Sequence, residues 1–113
     1  MHELALTEGI LSIVESEQKK NGFRRVLEIR LRIGAYSGVI PSCIEEFFPI
    51  MAKGTAAEDA ALVLEEVPAA FQCLDCDYTG ALRPGEACCP QCGGTAIRMT
   101  AGREFYVDHL KVE

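Results

Sequence analysis

A chain of 113 residues with 49% apolar content is long enough for one ordinary domain, or for one small domain plus a module too short to fold by burial alone. Eleven Lys and Arg stand against 17 Asp and Glu, a formal charge of −6 that repels phosphate backbones and anionic membranes and so argues against nucleic-acid and membrane partners. No stretch approaches the roughly 18 uninterrupted apolar residues of a membrane span, and Glu3 and Glu8 stand where a signal peptide is basic and then apolar, so a cytoplasmic protein is expected.

From Glu3 to Lys20, Leu6, Ile10, Ile13 and Val14 recur at helical spacing, with Glu8, Glu15, Ser16, Glu17, Lys19 and Lys20 as the polar surface. Asn21-Gly22 is the stop signal. In RVLEIRLRIG, Leu27, Ile29, Leu31 and Ile33 alternate with Glu28, Arg30 and Arg32, which predicts a strand with one buried face. After the turn GAYSG, the segment PSCIEEFFPIMAKGT predicts a second helix. Ser42 and Glu45 have capping-box spacing, Ile44, Phe47, Phe48 and Met51 are candidates for its buried face, and Pro49 predicts a kink or an early end. ALVLEEV reads as a second strand closed by Pro68, and REFYVDHLKVE as a last strand returning to the first sheet. The expected fold is α+β: a small two-helix domain with a three-stranded mixed sheet and an inserted zinc-ribbon module. Residues 1–70 plus 103–113 form the domain and 71–102 the module.

Inside the module the composition changes from aliphatic to cysteine and glycine. CLDC and CPQCGG place Cys73, Cys76, Cys89 and Cys92 in the pattern C-x2-C-x12-C-x2-C. Each pair can grip one metal through a tight turn whose backbone amides point at the sulfurs, and Gly93-Gly94 supplies the conformational freedom such a turn needs. Six cysteines allow three disulfides, but a reducing compartment and paired CxxC spacing favour metal thiolates, with zinc expected over iron. Four cysteine ligands leave no open position, so the site is expected to be structural. Binding free energies of about 10–16 kcal/mol in zinc-finger peptides can replace the core that so short a segment lacks. Cys88 breaks the spacing and reads as a bystander thiol or an occasional exchange ligand, and Cys43 as a small residue packed in a helix.

The chain begins MHEL. The Met1 amine, the His2 backbone nitrogen and the His2 imidazole can wrap one cation in adjoining chelate rings, favouring the tetragonal geometry of Ni(II) or Cu(II) once the amide is deprotonated. The Glu3 backbone nitrogen or carboxylate offers a further donor. Against this stands the ordinary alternative, a solvated histidine on a fraying terminus. His109 lies in the last strand without a local ligand partner.

The conjunction of MHEL, RLRIGAYSGV, KGTAAEDAALVLEEVP and two zinc knuckles resembles the HypA/HybF nickel metallochaperones of hydrogenase maturation, over nearly the whole chain. The resemblance implies a nickel-binding α+β domain whose site centres on His2 with Glu3 in support, and a separate ribbon with zinc on Cys73, Cys76, Cys89 and Cys92. It implies Ni(II) as transient cargo and Zn(II) as a structural ion. It implies as partners a nickel-maturation GTPase and the large subunit of a [NiFe]-hydrogenase, with urease served in some bacteria. A monomer or weak homodimer without catalysis of its own is expected. Members commonly carry a carboxylate where this chain has Ile40, so a site dominated by nitrogen donors is expected here.

Two other readings are open to these residues. One is a zinc-ribbon adaptor for proteins or nucleic acid; the acidic balance counts against nucleic acid, for which a local basic patch of Arg24, Arg25, Arg30 and Arg32 is the candidate surface. A small enzyme using His2 and Glu3 as acid and base lacks any supporting motif: there is no phosphate-binding glycine loop, nucleophile motif or HExxH pair.

Overall fold

The computed structural model describes residues 3–83 and 85–113. Helix α1 spans Glu3–Asn21, strand β1 Val26–Gly34, helix α2 Pro41–Met51 and strand β2 Ala61–Val67. The short strands β3 (Ala70–Cys73), β4 (Thr79–Ala81) and β5 (Ile97–Ala101) precede the last strand, β6 (Phe105–Val112). Two three-stranded sheets result, in the orders β2-β1-β6 and β4-β3-β5. This is the α+β architecture expected from the order of sequence patterns.

The first sheet is mixed. Val26 N–H donates to Ala56 O ahead of β2, and Ala35 N–H to Val67 O at its end, so β1 and β2 run the same way, with α2 as the crossover between them. Arg25 and Glu113 exchange backbone bonds at one end of β6, and Gly34 N–H donates to Glu104 O at the other, so β6 runs opposite to β1.

Chain contacts divide the molecule into two compact units. One takes Ile33–Gly38 and Glu66–Phe105, and the rest of the described chain forms the other. The cysteine-bearing unit contains the whole of 71–102. It includes the turn after β1, which three backbone bonds hold: Gly34 to Glu104, Ala35 to Val67 and Tyr36 to Gly102. Glycine is required at that crossing: a Cβ on Gly34 would overlap the Gly102 carbonyl, and Gly102 itself has φ +121° with Ala69 against it.

In the helical unit, α1 packs against α2, and Ile10, Val14, Val26, Ile29, Leu31, Ile44 and Phe48 are buried. The buried stripe of α1 is Glu3, Thr7, Ile10 and Val14, the i, i+4, i+7, i+11 series, and Ile13 is exposed. Ile13 lies about 100° around the helix from Val14, so one helix face cannot bury both equally. On β1, Val26 is buried and Leu27 exposed, because the alternation changes phase between Val26 and Ile29. Gly22, at φ +70°, ends α1 with its N–H on Gln18 O.

Helix α2 does not start with the expected capping box. Ile40 is its N-cap without a side-chain cap bond, and Pro41 opens the helix, where a missing N–H costs nothing. Ser42 therefore lies inside the first turn. Pro49 is accommodated, and the helix ends two residues later at Met51.

A thiolate centre and the first turn of helix one

In the second sheet, β3 pairs antiparallel with both β4 and β5, placing Cys73 opposite Ile97 and Gln72 opposite Thr79. Phe71, Cys73 and Cys89 are its buried centre, with Cys76, Tyr78, Leu82 and Ile97 packed around them and the Phe71 and Tyr78 rings 5.9 Å apart. This core is small, as expected for a segment that depends on a bound ion.

The two knuckles repeat the same backbone bonds. Asp77 N–H donates to Cys73 O at 3.0 Å and Gly93 N–H to Cys89 O at 2.8 Å. Cys73 N–H donates to Tyr78 O at 2.7 Å and Cys89 N–H to Gly94 O at 2.8 Å. The residue after each CxxC adopts the left-handed conformation, with φ +63° at Asp77 and φ +74° at Gly93. Glycine accepts this conformation freely, and Asp is among the few L-residues that enter it readily. Gly94 N–H points to Cys92 Sγ at 3.4 Å, an amide-to-sulfur bond of the kind the motif requires.

The four ligand atoms of Cys73, Cys76, Cys89 and Cys92 lie within 4.8 Å of one another, and no other such group of three or more His, Cys, Asp or Glu occurs among the described residues. Cys73 Sγ is 3.6 Å from Cys92 Sγ, and Cys76 Sγ 3.7 Å from Cys89 Sγ. A tetrahedron with metal–sulfur bonds of about 2.3 Å has sulfurs about 3.8 Å apart, whereas a disulfide needs about 2.05 Å. The spacing fits a tetrahedral metal, and all six cysteines are free thiols.

The thiols differ in acidity. For Cys89, desolvation opposes ionisation, but the amides of Cys92 and Gln91 and the thiols of Cys76 and Cys92 outweigh it and bring the group down to about 7. For Cys76, the amide of Tyr78 favours the thiolate, yet desolvation and the three other cysteines push it up to about 12. Cys92 is also raised: the Gly94 amide favours the thiolate, but Cys73 and desolvation oppose it. One negative charge is accommodated and further ones are resisted, a conflict that a divalent cation resolves.

His2 lies outside the described residues. Glu3 is 3% exposed, and its carboxylate oxygen Oε2 accepts the Ile40 N–H at 3.1 Å. Cys88 is exposed and Cys43 half-buried, both outside the thiolate cluster. His109 sits 3.0 Å from Asp108 Oδ2 and 3.9 Å from Glu28. The candidate basic patch is largely neutralised. Arg30 pairs with Glu65 and Glu28, Arg32 with Glu65, and Arg25 with Glu113. Sequence reasoning had no means of seeing the Glu65 and Ile40 contacts, which join residues more than 30 positions apart.

Fold and cysteine cluster together define a small α+β metal-binding protein with an inserted thiolate ribbon. The family model described as "Hydrogenase/urease nickel incorporation, metallochaperone, hypA" matches residues 1–112. The chain is 39% identical to the hydrogenase maturation factor HypA of Rhodopseudomonas palustris (strain TIE-1) and 36% identical to that of Moorella thermoacetica, each over 113 residues and the whole of both chains. The solution structure of the Ni metallochaperone HypA from Helicobacter pylori shares the fold at a TM-score of 0.71 and 21% identity, covering 99% of this chain and 97% of that one. The chain belongs to the HypA family of nickel metallochaperones for hydrogenase maturation. No described helix is long and apolar enough to cross a membrane.

Proposed function

We propose that this chain binds Ni(II) at its N-terminus through His2, with Glu3 in support, and hands it on during maturation of a [NiFe]-hydrogenase. Residues 1–70 plus 103–113 carry the nickel, and 71–102 carry a structural zinc on Cys73, Cys76, Cys89 and Cys92. Family membership over residues 1–112, joined to a cysteine cluster that is complete without any histidine, carries this reading. A closed tetrahedral thiolate cage suits retention. Cargo that must be released suits a site with few side-chain ligands, where a recipient's donors enter open positions on nickel before His2 leaves.

The chain works in the cytoplasm, as a monomer or weak homodimer, without catalysis of its own. Its partners are a nickel-maturation GTPase and a hydrogenase large subunit, and urease maturation is a further use. Copper outranks nickel at nitrogen sites, so selectivity rests on geometry and metal supply. The nucleic-acid form of the adaptor reading loses support, because Arg25, Arg30 and Arg32 are already paired with carboxylates. The test is partner-dependent nickel transfer by His2→Ala. Loss of transfer with zinc content intact is expected, and unchanged transfer would contradict the proposal.

A further inference from the structure

Glu3 is a carboxylate in an unusual place. It is almost fully buried in the first turn of α1, while Leu4 and Ala5 beside it are exposed. Both its main chain and its side chain are held: its carbonyl oxygen accepts the Thr7 hydroxyl at 2.7 Å, and its carboxylate accepts the Ile40 N–H at 3.1 Å. The receiving position explains the second bond. Ile40 is the N-cap of α2 in extended conformation, its aliphatic side chain makes no cap bond, and the first turn of α2 carries no acidic residue. The positive end of that helix therefore lacks the local anion that usually stabilises it, and Glu3 supplies one from the neighbouring helix.

We infer that Glu3 is a positioning residue, whose carboxylate fastens the start of α1 to the start of α2 and so holds the chain that carries the nitrogen donors, instead of ligating nickel. The inference rests on the N-terminal nickel reading and refines the part of Glu3 within it. A carboxylate oxygen bound by a backbone N–H at a helix start is a poorer donor to a cation. Turning Oε2 toward a metal would strip the Ile40 amide of that acceptor in a partly buried setting, so the bond favours keeping the carboxylate where it is. Glutamine keeps an oxygen of the same reach for the Ile40 amide but is a poor nickel ligand, and alanine keeps neither property, so the two substitutions separate the roles.

The experiment titrates Ni(II) alone into untagged, zinc-loaded wild type, Glu3→Ala and Glu3→Gln, reading affinity, the nickel ligand-field spectrum at saturation, and hydrogen exchange at the Ile40 amide. Glu3→Ala is expected to weaken nickel about tenfold and to speed exchange at Ile40, with Glu3→Gln recovering most of both and all three proteins sharing one spectrum. The inference is overturned if Glu3→Gln is as weak as Glu3→Ala or has a shifted spectrum, which would make the carboxylate a ligand. It is equally overturned if Glu3→Ala binds like wild type. Wild type that takes up no nickel overturns the N-terminal nickel reading together with it, whereas normal wild-type binding with a failed glutamine variant removes this inference alone.

Discussion

The cysteine centre and the first turn of α1 solve opposite problems with opposite means. At the centre, two knuckles with matching backbone bonds bring four sulfurs within 4.8 Å, and the surrounding amides point at them. At the start of α1, the Glu3 carboxylate accepts a bond from the backbone of the next helix. A closed donor set retains its ion, and a sparse one lets it go. On the proposed reading, the contrast lets one small chain hold one metal for structure while carrying another as cargo.

The largest effect that would break this contrast is loss of a sulfur. Cys73→Ser or Cys89→Ser removes a buried ligand and is expected to release zinc and unfold the ribbon, since about 10–16 kcal/mol of metal binding supports such modules. Zinc quantification with the circular dichroism of the variant checks this. Nickel uptake that vanished along with zinc would show that the two sites are not separable.

Acidity sharpens the comparison at an intermediate scale. Above neutrality Cys89 has already lost its proton, while Cys76 and Cys92 still hold theirs for the metal to expel. Below pH 7, Cys89 also rebinds a proton in the metal-free site, so zinc affinity is expected to fall more steeply, by about a further tenfold per pH unit for that proton. Competition with a chromophoric chelator across roughly pH 5 to 9 measures the slope. A slope constant through neutrality would contradict the assigned acidity of Cys89.

The smallest effect concerns the two knuckles themselves. Gly93→Ala meets open space but must hold φ near +74°, and is expected to cost about 1 kcal/mol, a zinc affinity roughly fivefold weaker. Asp77→Gly relieves the same conformation in the other knuckle and is expected to leave affinity unchanged or slightly better. Equal losses in both variants would mean that the side chains, and not the backbone conformation, set the knuckle.

What was legible from the residues depended on whether the signal was local. The CxxC spacing is a local pattern tied to one geometry, and it located the thiolate cluster residue by residue. The alternation through Ile29, Leu31 and Ile33 located the central strand, and Asn21-Gly22 its preceding helix end. Strands β3, β4 and β5 escaped notice because they are three to five residues long and exist through pairing across the knuckles, with little pattern of their own. Leu27 and Ile13 were misplaced by a change of phase in β1 and by the narrowness of the buried stripe on α1. The Ser42–Glu45 spacing suggested a cap that Pro41 had already pre-empted by opening the helix one residue earlier. The burial of Glu3 follows from α2 meeting α1, a long-range contact that no window of sequence contains.

The central claim is that nickel binds at a free N-terminus while zinc stays in the ribbon. The direct measurement is Ni(II) titration of the untagged protein beside a form extended by a few residues ahead of Met1, with zinc quantified in both. One nickel equivalent on the native form, lost on extension with zinc content unchanged, is the predicted result. Equal nickel binding by both forms would show that the free amine is not required and would contradict the account.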